Sequence, residues 1–192
     1  METDTINQSS GLTTDDFDIL VRKIKIGDCE AFKKFFFLFQ PGIYRFLYRY
    51  LCDKDAANDL TQDTFIKFWT NRNQINSSLF PKSYLYKIAR NLAINYLARN
   101  HSISSNTFHR VDDLSLVLYP DQEYDRYFII DDLQKALNEL PERCKTTFIL
   151  SRFEGFDYSE IAGIMQVSVQ TVKNQMNKAI SVLKKRLSSH LV

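Results

Sequence analysis

Residues 158–187 read YSEIAGIMQVSVQTVKNQMNKAISVLKKRL, and this stretch decides the fold. It predicts a short helix over Tyr158–Met165, a three-residue turn from Gln166 to Ser168, and a long helix that reaches about Arg186. Apolar residues of the long helix recur at i, i+4, i+7, i+8 and i+11, as on one face of an amphipathic helix. They are Val172, Met176, Ala179, Ile180 and Leu183. Two helices joined by three residues are typical of a helix-turn-helix.

Three residues of this motif carry local information. Ser168 is a good N-cap for the long helix, and Ala162 is small where the two helices must cross closely. Turns of this kind usually place glycine where the backbone needs a positive φ, and here that position is Gln166. A left-handed conformation at Gln166 predicts strain of about 1 kcal/mol.

The charge of the long helix favours DNA as its ligand. Residues 168–187 contain five basic residues and no acidic one. The alternative is an amphipathic helix that merely faces water, but such helices usually carry opposite charges at i,i+4 because those pairs stabilise them. Outward amides can pair with adenine edges, while lysine meets phosphate or guanine. The predicted DNA-binding residues are Ser168, Gln170, Thr171, Lys173, Asn174, Asn177 and Lys178.

Composition sets the class of protein. The 192 residues are 44% hydrophobic, with five Gly and four Pro, which favours an all-α fold with few tight turns. We expect no membrane span, because no run of about 18 apolar residues occurs, and no signal peptide, because residues 1–16 are polar and acidic. Cys29, Cys52 and Cys144 lack metal-ligand spacing and are predicted to be reduced, half-buried thiols of a cytoplasmic protein.

The chain divides into two predicted helical domains. A disordered N-terminus (1–14) precedes a four-helix domain (15–100), then a flexible linker (101–126) and a helix-turn-helix domain (127–192). Asp28 is predicted to cap the second helix, with a kink at Pro41-Gly42, and Pro81 to open the fourth helix. The very apolar stretch 35–39 suits either the core or a surface that a partner covers.

Several motifs, in order and spacing, resemble the extracytoplasmic-function (ECF) sigma factors of the sigma-70 family. In the C-terminal half they are LPER at 140–143, FILSRFEG at 148–155, YSEIA at 158–162 and TVK at 171–173. In the N-terminal half they are DLTQDTF at 59–65 and YLYKIARNLA at 84–93. The resemblance covers about residues 25–188, and the C-terminal domain is similar to the one that reads the −35 element of promoters.

The resemblance implies that the third helix binds the clamp of core RNA polymerase through Asp59, Gln62, Asp63 and Thr64. That helix is acidic, with Asn58, Thr61 and Gln62 expected to be exposed. An acidic, amide-rich face repels DNA and suits a basic protein partner. The alternative is an ordinary solvated face.

The fourth helix is basic, in contrast to the acidic third helix, and contains no acidic residue between Pro81 and Asn100. The resemblance implies that this helix and the preceding loop hold the separated −10 strand, in which a flipped base needs amides and a stacking surface. The implied −10 residues are Asn71, Asn73, Asn76, Lys82, Ser83, Lys87, Arg90 and Asn91. Tyr84 and Tyr86 could stack on bases or pack in the core.

Some positions depart from the family pattern. The family often has Trp at the position of Tyr84, Asp at Asn95 and a basic residue at Gln175. These departures affect which promoter sequence is preferred. Family members are typically held inactive by a membrane-associated anti-sigma factor, so an anti-sigma partner is expected here as well.

The 26-residue linker limits how the two domains reach DNA. As a free coil its ends lie roughly 30 Å apart, and fully extended it spans ~85 Å. Two turns of DNA span about 70 Å. The linker therefore reaches from a −10 to a −35 element only when something holds it extended, as threading along a polymerase would.

Two other classes of protein compete with this interpretation. A conventional helix-turn-helix regulator would form a symmetric dimer and bind duplex DNA without polymerase. An enzyme is disfavoured because His101, His109 and His190 are scattered and no phosphate-cradling loop, metal spacing or nucleophile elbow occurs. We expect no catalytic residue, cofactor, metal or small-molecule substrate.

Overall fold

The computed structural model describes residues 14–75, 81–100 and 133–187. Throughout these ranges the regular secondary structure is helical, which confirms the predicted all-α fold of two helical domains. The helices are α1 (Thr14–Lys25), α2 (Cys29–Leu51), α3 (Lys54–Thr70), a 3-10 turn (Arg72–Gln74), α4 (Pro81–Asn100), α5 (residues 133–138), α6 (Glu142–Arg152), α7 (Tyr158–Met165) and α8 (Val169–Leu187). None of these helices is long and apolar enough to cross a membrane.

Local signals end one helix and start the next in the N-terminal half. Gly27, with φ +90°, ends α1 in a Schellman motif, since its N–H bonds to Ile24 O (2.9 Å) and that of Asp28 to Lys23 O (3.0 Å). The predicted Asp28 cap is confirmed, because its carboxylate accepts from the N–H groups of Glu30 and Ala31. Asp53 caps α3 in the same way through Ala56 N–H.

Helix α2 includes both Pro41 and Gly42, so the kink predicted at this pair would lie inside a single helix and stays a prediction. Gly42 also has a packing role. A Cβ added at Gly42 would lie 2.9 Å from the hydroxyl of Tyr86 on α4. The glycine therefore lets α4 approach α2 closely.

Aromatic rings fill the core between α1, α2 and α3. Phe35 is fully buried and stacks on Phe68, with ring centroids 4.6 Å apart, while Phe39 and Phe17 close the cluster. Phe37, in contrast, is 66% exposed. The stretch 35–39 was predicted to lie either in the core or on a surface that a partner covers. Phe35 lies in the core, and Phe37 is the one residue of this stretch that is exposed.

The C-terminal domain is built on strong local caps. Asp157 accepts from the N–H groups of Ser159 and Glu160, and the Glu160 carboxylate accepts from Asp157 N–H, which forms a complete capping box for α7. Gly155 adopts φ +73° in the turn before it. A small core of Leu137, Leu140 and Leu183 holds α5 and α8 together.

The two domains pack against each other through one continuous core. Phe46, Leu85 and Tyr86 of the N-terminal domain belong to the same buried cluster as Leu150 and Phe156 of the C-terminal domain. Helix α4 lies against α7, and α2 lies against α6. The predicted linker (101–126) and nearly all of the predicted N-terminal tail (1–14) lie outside the described residues.

The cysteines differ from the prediction in their burial. All three are free thiols, but Cys29 is exposed, Cys144 is buried and only Cys52 is half-buried. Cys52 takes a left-handed conformation (φ 56°) at the end of α2, where its N–H bonds to Tyr48 O. Among the residues that the structure describes, no cluster of His, Cys, Asp and Glu could hold a metal ion.

The predicted left-handed residue of the helix-turn-helix gives a testable expectation. Gln166 has φ 55°, and its N–H bonds to Ala162 O. Gln166→Gly should raise the free energy of unfolding by about 1 kcal/mol, because glycine adopts positive φ without strain. Urea unfolding measures the change. Ser181→Gly, in the interior of α8, is the matched control and should lower the same free energy by a similar amount.

Candidate nucleic-acid interface

The geometry of α7, its turn and α8 confirms the helix-turn-helix. Ser168 Oγ accepts from Thr171 N–H at 3.1 Å, so Ser168 is the predicted N-cap. Val172, Met176, Ala179 and Leu183 are buried along one side of α8. The opposite side of α8 is therefore free to meet a ligand.

That opposite side carries the predicted reading residues. Gln170, Lys173, Asn174, Asn177 and Lys178 are all exposed. The Gln170 amide donates to Asn174 Oδ1 at 3.1 Å, so two amides one turn apart present a joined polar edge. Ser168 is exposed and Thr171 partly so, but their hydroxyls bond to each other at 2.8 Å. The hydroxyls of Ser168 and Thr171 therefore stabilise the N-terminus of α8.

Two other residues of α8 contact neighbouring parts of the protein. Gln175 accepts from the Thr147 hydroxyl at 2.9 Å and so joins α8 to α6. Arg186 contacts Glu139 at 2.6 Å, so one of the five basic residues of the long helix is paired with an acid outside it. Lys173 and Lys178 near the start of α8 are exposed, as are Lys184 and Lys185 near its end.

A groove of about 510 Å³ lies between the start of α6 and the exposed side of α8. Its lining residues are Pro141, Glu142, Arg143, Cys144, Thr171, Asn174, Gln175 and Lys178. Arg143 is exposed there and adds a cation beside Asn174 and Lys178. Arg143 is not among the DNA-binding residues predicted from the sequence, although it belongs to the LPER motif at 140–143.

The predicted −10 residues of α4 meet the C-terminal domain. Lys82 Nζ donates to the backbone oxygen of Glu154 at 3.3 Å and lies 4.5 Å from the centre of the Phe156 ring. Burial lowers the pKa of Lys82, and the nearby carboxylates of Glu160 and Glu154 offset part of that change. Arg90 contacts Glu142 at 3.1 Å.

The other −10 residues differ in exposure. Ser83 is only 3% exposed, Lys87 is half-buried and Asn91 is exposed. Asn71 ends α3, where its amide donates to Lys67 O, while Asn73 is exposed in the 3-10 turn. Asn76 lies outside the described residues. The structure therefore does not bring these residues together as one open surface.

Tyr86 packs in the core. It is buried, its ring lies 4.9 Å from that of Phe156, and its hydroxyl donates to Glu154 Oε2 at 2.7 Å. Burial raises the pKa of Tyr86 well above its ordinary value, as does the carboxylate of Glu154. Tyr84 is partly buried, and its ring centroid lies 6.1 Å from that of Phe68.

On α3 the predicted acidic face is present, with two corrections. Asp59, Gln62 and Asp63 are exposed as predicted. Thr64 is 0% exposed, and Thr61 is also buried. Their hydroxyls donate to Leu60 O and Ala57 O, each at 2.6 Å, so neither residue presents a polar group to a partner.

Comparison with known proteins identifies the family. The family model "Sigma-70 region 2" matches residues 36–103, and "Sigma-70, region 4" matches residues 130–183. The RNA polymerase sigma factor SigV of Bacillus subtilis is 30% identical over 149 residues, which cover 78% of this chain and 86% of SigV. The chain belongs to the sigma-70 family. Its relatives include ECF sigma factors. One is SigW of Bacillus subtilis, which is 23% identical over 176 residues that cover 87% of this chain and 94% of SigW.

Solved structures share the fold of this ECF sigma factor. CnrH, in complex with the cytosolic domain of CnrY, superimposes with a TM-score of 0.70 at 17% identity, over 89% of this chain and 96% of CnrH. RpoE, in complex with the anti-sigma factor NepR from Bartonella quintana, gives a TM-score of 0.66 at 25% identity, over 83% of this chain and 98% of RpoE.

One further exposed residue of this sigma factor is not among the site residues predicted from the sequence. Ile66 is 61% exposed on α3, one turn after the exposed residues Gln62 and Asp63. It gives the acidic face an apolar centre, which is the composition of many protein-binding surfaces. The period of the helix would have placed Ile66 there, since it follows Asp59 by seven residues.

Proposed function

We propose that this sigma factor carries core RNA polymerase to promoters by reading two elements and makes or breaks no bond itself. The exposed amide and lysine face of α8 is the observation that carries this proposal. It lies at the second helix of a helix-turn-helix, which is the helix that enters the major groove. Since polymerase acts on the chromosome, the proposed place of action is the cytoplasm.

In this proposal the C-terminal domain, residues 127–192, reads the −35 duplex. Gln170 and Asn174 would meet base edges as a joined amide pair, while Lys173 and Lys178 meet phosphate or guanine. Asn177 and the exposed Arg143 complete the face. Ser168 and Thr171 contribute at its edge, since their hydroxyls are already paired.

The N-terminal domain, residues 15–100, would bind polymerase and the melted −10 strand. Asp59, Gln62, Asp63 and Ile66 form the proposed clamp-binding face on α3. Thr64 is left out because it is buried. Lys82, Lys87, Arg90 and Asn91 on α4, with Asn71, Asn73 and Asn76 before it, would hold the strand. An anti-sigma factor is a proposed partner, because RpoE, which shares the fold, was solved in complex with the anti-sigma factor NepR.

In-vitro transcription tests the proposed function directly. Bacterial core polymerase and fragmented genomic DNA are combined with and without this chain. We expect new discrete start sites that share two spaced elements. Absence of such transcripts, together with a stable dimer that binds duplex DNA alone, would favour a conventional helix-turn-helix regulator instead.

Lys173 offers a quantitative check on the reading face. Lys173→Ala should weaken binding of the holoenzyme to a promoter fragment and lower the slope of log K against log salt by about one unit, because one phosphate contact is lost. The matched control is Lys33→Ala, an exposed lysine on α2. An unchanged slope for Lys173→Ala would remove this residue from the phosphate contacts.

A further inference from the structure

An exposed apolar side chain lies at the start of the helix that carries the proposed −35 contacts. Val169 is the first residue of α8 and is 39% exposed. Among the described residues of the C-terminal domain (133–187), it is the one large apolar side chain that is exposed. Its neighbours on either side, Ser168 and Gln170, are exposed and polar. Val169 thus interrupts an otherwise polar surface.

The folding of the helix-turn-helix does not account for this side chain. Val167 packs against the buried cluster and Val172 is fully buried in it, so these two residues make the apolar contacts at the start of α8. Ser168 supplies the cap. Valine also favours helices less than straight-chain residues do, because its branched side chain loses rotational freedom there. Neither the cap nor the core therefore requires a valine at position 169.

The position of Val169 within α8 places it beside the proposed base contacts. Residues four apart lie on the same side of a helix, so Val169 lies in line with Lys173, and Gln170 lies in line with Asn174. The Gln170 amide donates to Asn174 Oδ1 at 3.1 Å. An amide has two donor hydrogens and an acceptor oxygen. Gln170 therefore keeps one donor and one acceptor, which are the groups that an adenine edge requires.

The major groove offers an apolar group next to that adenine edge. Thymine presents a methyl group at C5 in the groove, and apolar side chains distinguish this base by contact with it. The first residues of a recognition helix are those that reach base edges. An A·T pair carries the polar edge of adenine and the methyl group of thymine in the same groove. An amide and a valine that are neighbours in the first turn of a helix match this combination.

We propose that Val169 is a specificity-determining residue, which contacts the C5 methyl group of a thymine in the −35 element, beside the adenine that Gln170 binds. This role rests on the proposed function, because it takes α8 as the helix that enters the major groove of that element. The contact removes apolar surface from water and forms no hydrogen bond. It therefore distinguishes thymine from uracil, which pairs with adenine in the same way but lacks the methyl group.

Deoxyuridine tests the contact, because it removes the methyl group of thymine and leaves base pairing intact. The probe is a promoter fragment found by in-vitro transcription, in which each thymine of the −35 element, on either strand, is replaced singly by deoxyuridine. Binding of the holoenzyme is measured for wild type and for Val169→Ser, which lacks both γ-methyl groups. Replacement of a thymine in the spacer between the two elements is the control in the DNA. Ile19→Ser, at an exposed aliphatic residue of α1, is the control in the protein.

We expect wild-type holoenzyme to bind about fourfold more weakly when one particular thymine of the −35 element loses its methyl group, the effect of one buried methyl group. Val169→Ser should bind the fragments with and without this methyl group equally. Ile19→Ser should keep the wild-type difference. The spacer replacement should change the affinity of none of the three proteins.

Two results would overturn the proposed role of Val169. One is wild-type binding that is insensitive to every replacement in the −35 element. The other is a loss for Val169→Ser equal to that of wild type, even if this variant binds all fragments more weakly, because uniform weakening is what a purely structural role of Val169 produces. If Val169→Ser does not fold by circular dichroism, Val169→Ala makes the same test, since alanine is the strongest helix former and also lacks both γ-methyl groups.

Transcription separates this role from the proposed function. Transcripts with wild type, together with either of the two results above, would overturn the contact of Val169 with thymine and leave the proposed function in place. Absence of transcripts with wild type would contradict the proposed function, and the role of Val169 with it.

Discussion

Phe35→Ala should lower the free energy of unfolding by about 3–5 kcal/mol, the cost of removing a fully buried aromatic ring. Phe35 is 0% exposed, and its ring lies 4.6 Å from both Phe68 and Phe39. Its loss leaves a cavity where α1, α2 and α3 meet. Urea unfolding followed by circular dichroism measures the change, and a shift in the midpoint at constant slope would show that stability alone has changed.

Phe37→Ala is the matched control, because it removes the same side chain two residues further along the same helix. Phe37 is exposed, and its main ring contact is with Phe36 at 5.5 Å. We expect a change within about 0.5 kcal/mol, as for most surface substitutions. Equal losses for Phe35→Ala and Phe37→Ala would contradict the assignment of Phe35 to the core.

The elements that sequence predicted well are those whose causes are local. Asp28 and Ser168 cap helices through bonds that reach only two or three residues along the chain. The strain at Gln166 follows from the geometry of a three-residue turn. Such signals depend on neighbouring residues alone, so the sequence contains all the information that is needed.

The spacing of residues in α3 indicates which of its threonines are buried. Its buried residues Ala57, Thr61, Thr64, Phe65 and Phe68 follow the spacing i, i+4, i+7, i+8 and i+11, the same stripe that was recognised in α8. Thr61 is predicted to be exposed because threonine is polar, and the family resemblance implies that Thr64 belongs to the polymerase-binding face. A threonine hydroxyl can instead bond to the carbonyl four residues earlier, which lets the residue lie inside.

The packing of the two domains could not be predicted from the sequence. Arg49 and Glu154 are 105 residues apart, and no periodicity links them. A basic helix without acids is equally compatible with DNA and with an acidic protein surface, since both offer anionic oxygens to the same cations. The sequence of α4 therefore predicted the charge of its ligand, while only the structure places Glu142 and Glu154 against it.

Lys145 makes the stability of the packed domains depend on pH. Its ammonium group is buried and donates to Tyr50 O and Asn138 Oδ1, each at 2.7 Å. The other titratable groups that face it are the Cys52 thiol and the Tyr50 ring, which lies 5.2 Å away. Burial lowers the pKa of Lys145 to about 8, and the Cys52 thiol offsets part of the change.

The free energy of unfolding should therefore rise by about 1 kcal/mol between pH 7.5 and 9. The pKa of Lys145 is lower in the folded chain than in the unfolded chain, so the unfolded state binds more protons in this window. Raising the pH therefore removes the free-energy cost of burying the charged ammonium group, which is fully present below about pH 8. That cost is about 3 kcal/mol. Urea unfolding at the two pH values measures it. Lys145→Met should abolish the rise, whereas Lys185→Met, at an exposed position on α8, should preserve it. A rise that persists in Lys145→Met would assign the pH dependence to another group.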